Sequence, residues 1–411
     1  MKLNPPKGTR DFLPEEMNQR QYVLEKIRKV YEKYGFGPMQ TPVFESWEVL
    51  KAKSGEEAKN QIYYFKDKSK RELGMRFDLT VGTARAIAAN PDIPKPIKRY
   101  NIGKAWRYEE ISKGRYREFV QADIDIIGEQ SVLADAECVA CAVEALQDLG
   151  FRKFTVRVNN RKILNALLKS LKLEKKSGKI LRAIDKLDKI GVDGVSSELK
   201  KAKLKPTEIK KILDFMENGT DIPEAEGGKQ EIKELKKKLK ELSVKAKIKL
   251  DYSLVRGLAY YSGNIFEIES KSYKKSIAGG GRYDNLIGIY GEELPAVGVS
   301  LGFERIMDII QEKNLIELPK TITTCYVFGI GNVEKNVLNT VQELRDANIS
   351  VNYDLSDKSI SKNLEYADSL GYPFVIIIGE RELKSGKLTL KNMESGKEQK
   401  LPIKKIIKEL K

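Results

Sequence analysis

The chain contains no histidine. Histidine is the side chain whose ordinary pKa lies nearest neutrality and the commonest ligand of transition metals. Its absence excludes every mechanism that uses an imidazole as base, nucleophile or metal ligand, and with them serine-type triads and histidine-ligated metal centres. Cysteine is nearly as scarce, with three in 411 residues. Cys138 and Cys141 form a CxxC, but they sit in "LADAECVACAVEALQDLG", which reads as one amphipathic helix. With no second pair and no histidine to complete a zinc site, they read as small core residues. No apolar run approaches the roughly 20 residues that span a bilayer. The opening, "MKLNPPKGTRDFLPEEM", is polar and has no signal-peptide pattern. A soluble protein with no membrane partner is expected, in the cytoplasm.

What is present is charge. Charged residues make up 33% of the chain and hydrophobic ones 41%, and the net charge is +16. A length of 411 residues allows two or three domains, each with its own core. The positive charge is uneven, because residues 161–250 carry 25 Lys and Arg against 14 Asp and Glu. A basic segment suits a polyanion such as nucleic acid, and it equally suits solvated lysine-rich helices.

Along the chain, "EEMNQRQYVLEKIRKVYEKYG" sets Val23, Ile27, Val30, Tyr31 and Tyr34 on one helical face, with Gly35 ending the helix. In "FGPMQTPVFES", Pro38 and Pro42 fit an edge strand. "QIYYFKDKSKRELGMRFDLT" reads as a hairpin, and "TVGTARAIAAN" as a helix capped by Thr80. Residues 161–245 change to lysine-rich helical periodicity, a helical insertion into a strand-rich, antiparallel-sheet unit that resumes at 246. After Pro319, "TITTCYVFGI", "ISVNYDL" and "FVIIIG" alternate with helical stretches. That pattern predicts a small parallel α/β domain.

One strand carries an unusual face. Side chains alternate along a strand, so in "EFVQADIDIIG" Val120, Ala122, Ile124 and Ile126 point to a core. Phe119, Gln121, Asp123, Asp125 and Ile127 point the other way. In the preceding strand Arg107 and Glu109 share a face. If "EISKGRY" turns the chain back, one sheet face collects Arg107, Glu109, Gln121 and Asp125. Carboxylates and an amide can hold an ammonium or a nitrogen heterocycle, and arginines can neutralise phosphate oxygens bidentately. Phosphoryl chemistry needs positioning and charge neutralisation rather than a protein nucleophile, so a chain without histidine can perform it. "LVRGLAYYSG" adds Arg256, Tyr260 and Tyr261; "AGGGRYDNL" adds three glycines before Arg282 and Tyr283; "GVSLGFERI" is a strand–helix junction bearing Arg305. Consecutive glycines permit close backbone approach to a ligand, and they also commonly mark a turn.

In this order, these stretches resemble the histidyl-tRNA synthetase family of class II aminoacyl-tRNA synthetases. "GTRDFLP", the following helix and Pro42 are similar to the family's first motif, associated with dimerisation. "WRYEEISKGRYREFVQADIDIIG" resembles the second, "AVGVSLGFERI" the third, and "LVRGLAYY" and "AGGGRYDNL" the two histidine-specific motifs. The resemblance covers almost the whole chain. It implies an α+β catalytic domain, an antiparallel sheet with flanking helices, from 1–160 and 246–318. It also implies a helical insertion at 161–245 and a C-terminal α/β anticodon-binding domain at 320–411. The partners it implies are L-histidine, tRNA(His) and a second copy of the chain in a homodimer. ATP would be a substrate and Mg²⁺ its companion.

By motif position, Arg107 would hold the α-phosphate, Glu109 the adenine amino group and Phe119 the adenine ring, with Arg115 and Arg305 at the outer phosphates. Arg256 would be the cation at the reacting carboxylate. Asp78, Thr80 and Gln121 match positions that hold the α-ammonium. Asp125 and Tyr261 match those that read the imidazole, with Tyr260 and Tyr283 lining the pocket. Two departures stand out. Ala259 replaces an acidic residue that usually precedes the paired tyrosines, and Asp78 and Asp125 stand where bacterial members carry Glu, as in the archaeal and eukaryotic branch. A different expectation also fits the fold: a silent, histidine-sensing regulatory subunit of ATP phosphoribosyltransferase. Such relatives typically lack the anticodon-binding domain and lose catalytic residues.

Overall fold

The computed structural model describes residues 3–54, 60–112, 114–219, 222–256, 260–270 and 276–411. Chain contacts divide it into two compact units, Met1–Arg10 with Glu25–Ile316, and Asp11–Leu24 with Glu317–Lys411. Among the described residues no helix is long and apolar enough to cross a membrane.

Helix α1 (Pro14–Lys33) buries Val23, Ile27, Val30 and Tyr31, as its spacing predicts. Gly35 follows with φ +76°, a left-handed turn that favours glycine. Strand β1 (Gly37–Pro38) is short and lies at a sheet edge, where a proline costs no ladder hydrogen bond. A small antiparallel sheet follows, built from β2 (Phe44–Ser46), β3 (Tyr64–Lys66) and β4 (Glu72–Met75), with α2 (Trp47–Ser54) between the first two. The expected hairpin is β3–β4, paired antiparallel.

Helix α3 (Thr80–Ala88) lacks the expected Thr80 cap. The Asp78 carboxylate does that work instead: its Oδ1 accepts the Val81 N–H at 2.9 Å. A carboxylate at a helix start also meets the positive end of the helix dipole, so aspartate outcompetes the threonine hydroxyl here.

The large sheet is formed by β5 (Ile97–Trp106), β6 (Glu118–Ile127), β7 (Phe154–Asn160), β8 (Lys247–Leu250), β9 (Asn264–Ser270), β10 (Ser276–Arg282) and β11 (Ala296–Gly302), with β1 at its edge. Its order is β1-β5-β6-β11-β10-β9-β7-β8. The inner pairs are antiparallel and the two outermost pairs parallel. Helix α4 (Val132–Asp148) carries Cys138 and Cys141 into the core as buried thiols.

The described residues between 161 and 241 form α5 (Arg161–Ser170), α6 (Ser177–Ile184), α7 (Leu187–Lys201), α8 (Pro206–Asn218) and α9 (Glu226–Glu241). They belong to the first compact unit, and α9 packs on α4 and β7. Helix α10 (Phe303–Lys313) leaves β11 directly and buries Phe303, Ile306, Met307, Ile309 and Ile310.

The second unit contains β12 (Cys325–Ile330), α11 (Glu334–Asp346), β13 (Val351–Tyr353), α12 (Ile360–Ser369), β14 (Phe374–Gly379), α13 (Glu380–Ser385), β15 (Leu388–Asn392), β16 (Glu398–Leu401) and α14 (Ile403–Leu410). The expected parallel core is present as β13-β12-β14. It is not the whole sheet, because β15 and β16 extend it antiparallel. Their polar alternation, "LTLKN" and "EQKL", lacks the continuous apolar runs that marked the inner strands.

Candidate active site

The polar face of β6 is half-buried at Gln121 and fully buried at Asp123 and Asp125. Gln121, Asp123 and Asp125 line one cavity of about 580 Å³, together with Phe77, Asp78, Thr80, Arg107, Glu109, Arg115, Phe119, Arg256, Tyr260, Tyr261, Tyr283 and Arg305. All the site residues expected from the sequence therefore meet in one place. The volume lies in the range of small-molecule sites.

The registers explain how the sheet builds a floor. Asp125 pairs with Gly298 on β11, and Gly298 with Gly281 on β10. One step along, Asp123 pairs with Ser300, Ser300 with Gly279, and Gly279 with Glu267 on β9. Directly paired residues share a face, so acidic groups at either side are separated by a carpet of glycine and serine. The triple glycine is thus strand rather than turn. A Cβ on Gly279 would lie 1.4 Å from Arg256 Nη1, and one on Gly298 would lie 2.0 Å from Asp125 Oδ1. These glycines make room for the charged groups laid across them. Gly279→Ala is expected to displace Arg256 and lower turnover by roughly 10²-fold, the scale of an ångström-sized misplacement, with the fold retained. Single-turnover kinetics beside a melting curve checks both halves.

The acidic end is wired from behind. The Tyr283 hydroxyl donates to Asp125 Oδ1, and Arg99 on β5 pairs with Asp125 Oδ2. Arg99 and Asp125 are 2% and 3% exposed. Gln121 Nε2 donates to Ser300 Oγ at 3.0 Å, while its Oε1 is buried without a hydrogen-bond partner among the described residues. Burial pushes the Asp123 carboxyl up to about 7, against the pull of Arg99 and Ser300. Tyr260 packs on Tyr261 and edge-on to Tyr283, with ring centroids 4.8 and 5.8 Å apart.

The basic end lies on loops and the neighbouring helix. Strand β5 ends at Trp106, so Arg107 and Glu109 sit on the β5–β6 connection, not on a strand as expected. Their carbonyl and amide groups serve the loop, with the Arg107 N–H donating to the Arg117 carbonyl at 2.9 Å. Arg107 Nε donates to the Phe77 carbonyl at 2.8 Å, and its guanidinium stands 5.0 Å from the Phe119 ring centroid. Glu109 is ion-paired with Arg115. Burial alone raises the Glu109 carboxyl, and the Arg115 hydrogen bond and charge more than reverse that, holding it below the usual range. Arg256 adopts φ +53° and its Nη1 donates to Glu267 Oε1 at 3.0 Å. A non-glycine residue in the left-handed region stores strain that functional sites often hold. Arg305 donates to the Ser276 carbonyl. Arg10, from the amino-terminal stretch, pairs with Glu304 at 2.7 Å and stacks 3.8 Å above Tyr116. That contact ties the first of the resembled motifs to the second and third. Ala259 lies outside the described residues.

Sequence reasoning assigned no role to Arg99, which stands behind Asp125, or to the cavity-lining Asp123, Glu267 and Ser300, or to Asp185 and Lys189, which line it from the helical segment. Asp123 could have been found, since it alternates in step with Gln121 and Asp125. Nothing in the lysine-rich pattern singled out Asp185 or Lys189.

An antiparallel sheet flanked by helices, with arginines converging on a cavity above its glycine floor, defines a class II aminoacyl-tRNA synthetase catalytic unit. A family model described as histidyl-tRNA synthetase matches residues 8–306, and one described as anticodon binding domain matches residues 324–411. The chain is 38% identical to the histidine–tRNA ligase of Pyrococcus horikoshii, over 98% of each, and 40% identical to that of Aeropyrum pernix, over 98% of this chain and 97% of that one. Among solved structures, histidyl-tRNA synthetase from Nostoc sp. PCC 7120 superposes with a TM-score of 0.86 at 30% identity, over 100% of this chain and 99% of that one. The chain belongs to the histidyl-tRNA synthetase family.

Proposed function

We propose that the chain is an active histidine–tRNA ligase that makes histidyl-adenylate in this cavity and transfers the histidyl group to tRNA(His). The observation that carries the reading is the division of one cavity into two ends. Acidic and amide acceptors stand on β6, where a ligand rich in N–H groups fits, and guanidinium groups from three segments stand where phosphate oxygens fit.

In the first step a histidine carboxylate oxygen attacks the α-phosphorus of ATP, and the bond to pyrophosphate breaks. Arg107 and Arg256 neutralise the charge that gathers on the α-phosphate and attacking carboxylate. Arg115 and Arg305 hold the outer phosphates, and Phe119 stacks on adenine while Glu109 accepts its amino group. For this Arg115 must release Glu109 in part when ATP binds. Asp78, Thr80 and the unpartnered Gln121 Oε1 receive the α-ammonium. Asp125 and Tyr261 read the imidazole, with Tyr260 and Tyr283 closing the wall. In the second step a terminal ribose hydroxyl attacks the histidyl carbonyl and AMP leaves. Neither step needs a protein nucleophile, which suits a chain without histidine.

Mg²⁺ would accompany ATP. Such an ion would be held mainly by the substrate phosphates. Glu267, which accepts from Arg256, and Glu304, which pairs with Arg10, are two of the carboxylates lining the cavity; either would complete its shell, and the ion would neutralise phosphate charge. The domain division implied by resemblance, 1–160 with 246–318, 161–245 and 320–411, assigns the anticodon to the last segment and the acceptor arm to the basic helices. A cytoplasmic homodimer is the working form. The sensor alternative is disfavoured by residues 324–411 and by the arginines, all in place. Pyrophosphate exchange into ATP, run with each amino acid separately, is expected with histidine alone. A folded protein that binds histidine yet exchanges with none would overturn the reading in favour of the sensor.

A further inference from the structure

Asp123 lies on the same face of β6 as Gln121 and Asp125, one alternation from each, roughly 7 Å along the strand. It is 4% exposed and lines the cavity. Its Oδ1 has no hydrogen-bond partner among the described residues. Its neighbours leave it so for identifiable reasons. Arg99 pairs with Asp125, and Ser300, whose Oγ accepts the Gln121 amide, draws on the carboxylate without satisfying Oδ1. Asn101, opposite Asp123 across the β5–β6 ladder, keeps its own Nδ2 without a partner, so that amide does not satisfy the carboxylate. Asp125 differs, since both its oxygens are engaged from behind, by Tyr283 and Arg99.

A buried acceptor without a donor is costly unless something supplies one. A histidine held between Gln121 and Asp125 must pass over Asp123. We infer that Asp123 is a further specificity-determining residue for this substrate, its Oδ1 accepting an N–H of the bound histidine. This inference rests on the histidine-ligase reading. Burial holds the carboxyl up at about 7, only partly offset by Arg99 and Ser300. A group whose pKa is raised on folding destabilises the fold increasingly as pH climbs from its unfolded value toward the folded one, and fully above about 7.

The two roles open to Asp123 thus predict opposite signs. If it waits for ligand, neutral replacement removes a burden from the free protein and damages histidine binding. If it is a structural partner of Asn101 or Ser300, replacement lowers stability. Asp123→Asn and Asp123→Ser in the full chain, assayed at pH 8, are expected to raise the histidine KM by roughly 10–100-fold, the cost of a lost charged hydrogen bond. The ATP KM should stay within about twofold in such a case, and the melting temperature without ligand should be equal or higher. A histidine KM near the parent value in both variants, or a clearly lowered melting temperature in both, overturns the inference. The unmodified protein is the control for the underlying reading. If it shows no histidine-dependent exchange, that reading fails and this inference with it; if it exchanges and the variants bind normally, only the inference falls.

Discussion

Arg107→Ala is expected to lower the rate of adenylate formation by about 10²–10³-fold, the usual cost of deleting a pre-organised charge stabiliser. The guanidinium is already fixed before substrate arrives. Its Nε is committed to the Phe77 carbonyl and its plane stands beside Phe119, which leaves the Nη groups to face phosphate oxygens. Because that interaction grows as charge gathers in the transition state, the loss should fall on kcat more than on the ATP KM. Arg107→Lys should recover little, since an ammonium cannot make the Phe77 bond and a bidentate phosphate contact together. Pre-steady-state measurement of adenylate formation checks this. A change under threefold sinks the assigned role.

Much of this geometry could be read from residue order. Alternation in "EFVQADIDIIG" separated Gln121 and Asp125 from Ile124 and Ile126 correctly, because a strand has only two faces. What failed did so where local competition or long-range pairing decides. Thr80 is a good capping residue, but Asp78, two positions earlier, reaches the Val81 N–H first. Three glycines suggested a turn, whereas they are strand residues kept small by Arg256 lying across Gly279, the β11 backbone against Gly280, and β9 and Tyr261 against Gly281. Arg99 sits in "IKRYNIGKAW" with nothing local to say that its partner is Asp125, 26 positions on. The reach of Asp185 and Lys189 into the cavity depends on how helices α6 and α7 fold back, which periodicity does not encode.

Asp125→Ala is expected to act twice, and the two effects can be separated. Removing the carboxylate deletes an imidazole acceptor, so the histidine KM should rise by roughly 10²-fold or more while the ATP KM holds. It also strands the Arg99 guanidinium, 2% exposed, without its counter-charge. Leaving one partner of a buried ion pair typically costs about 3–5 kcal/mol, so the variant should melt several degrees lower. Asp123→Asn should show the first effect without the second. Adding Arg99→Met to Asp125→Ala removes the stranded charge and fills its space with an apolar chain. Stability should then return in large part, as expected for residues coupled through one contact. Histidine affinity should not return, because the acceptor is still missing. Recovery of both would make Asp125 a structural counter-ion and take it out of the imidazole site. Recovery of neither would mean that Tyr283, which loses its acceptor in both variants, holds the pocket shape.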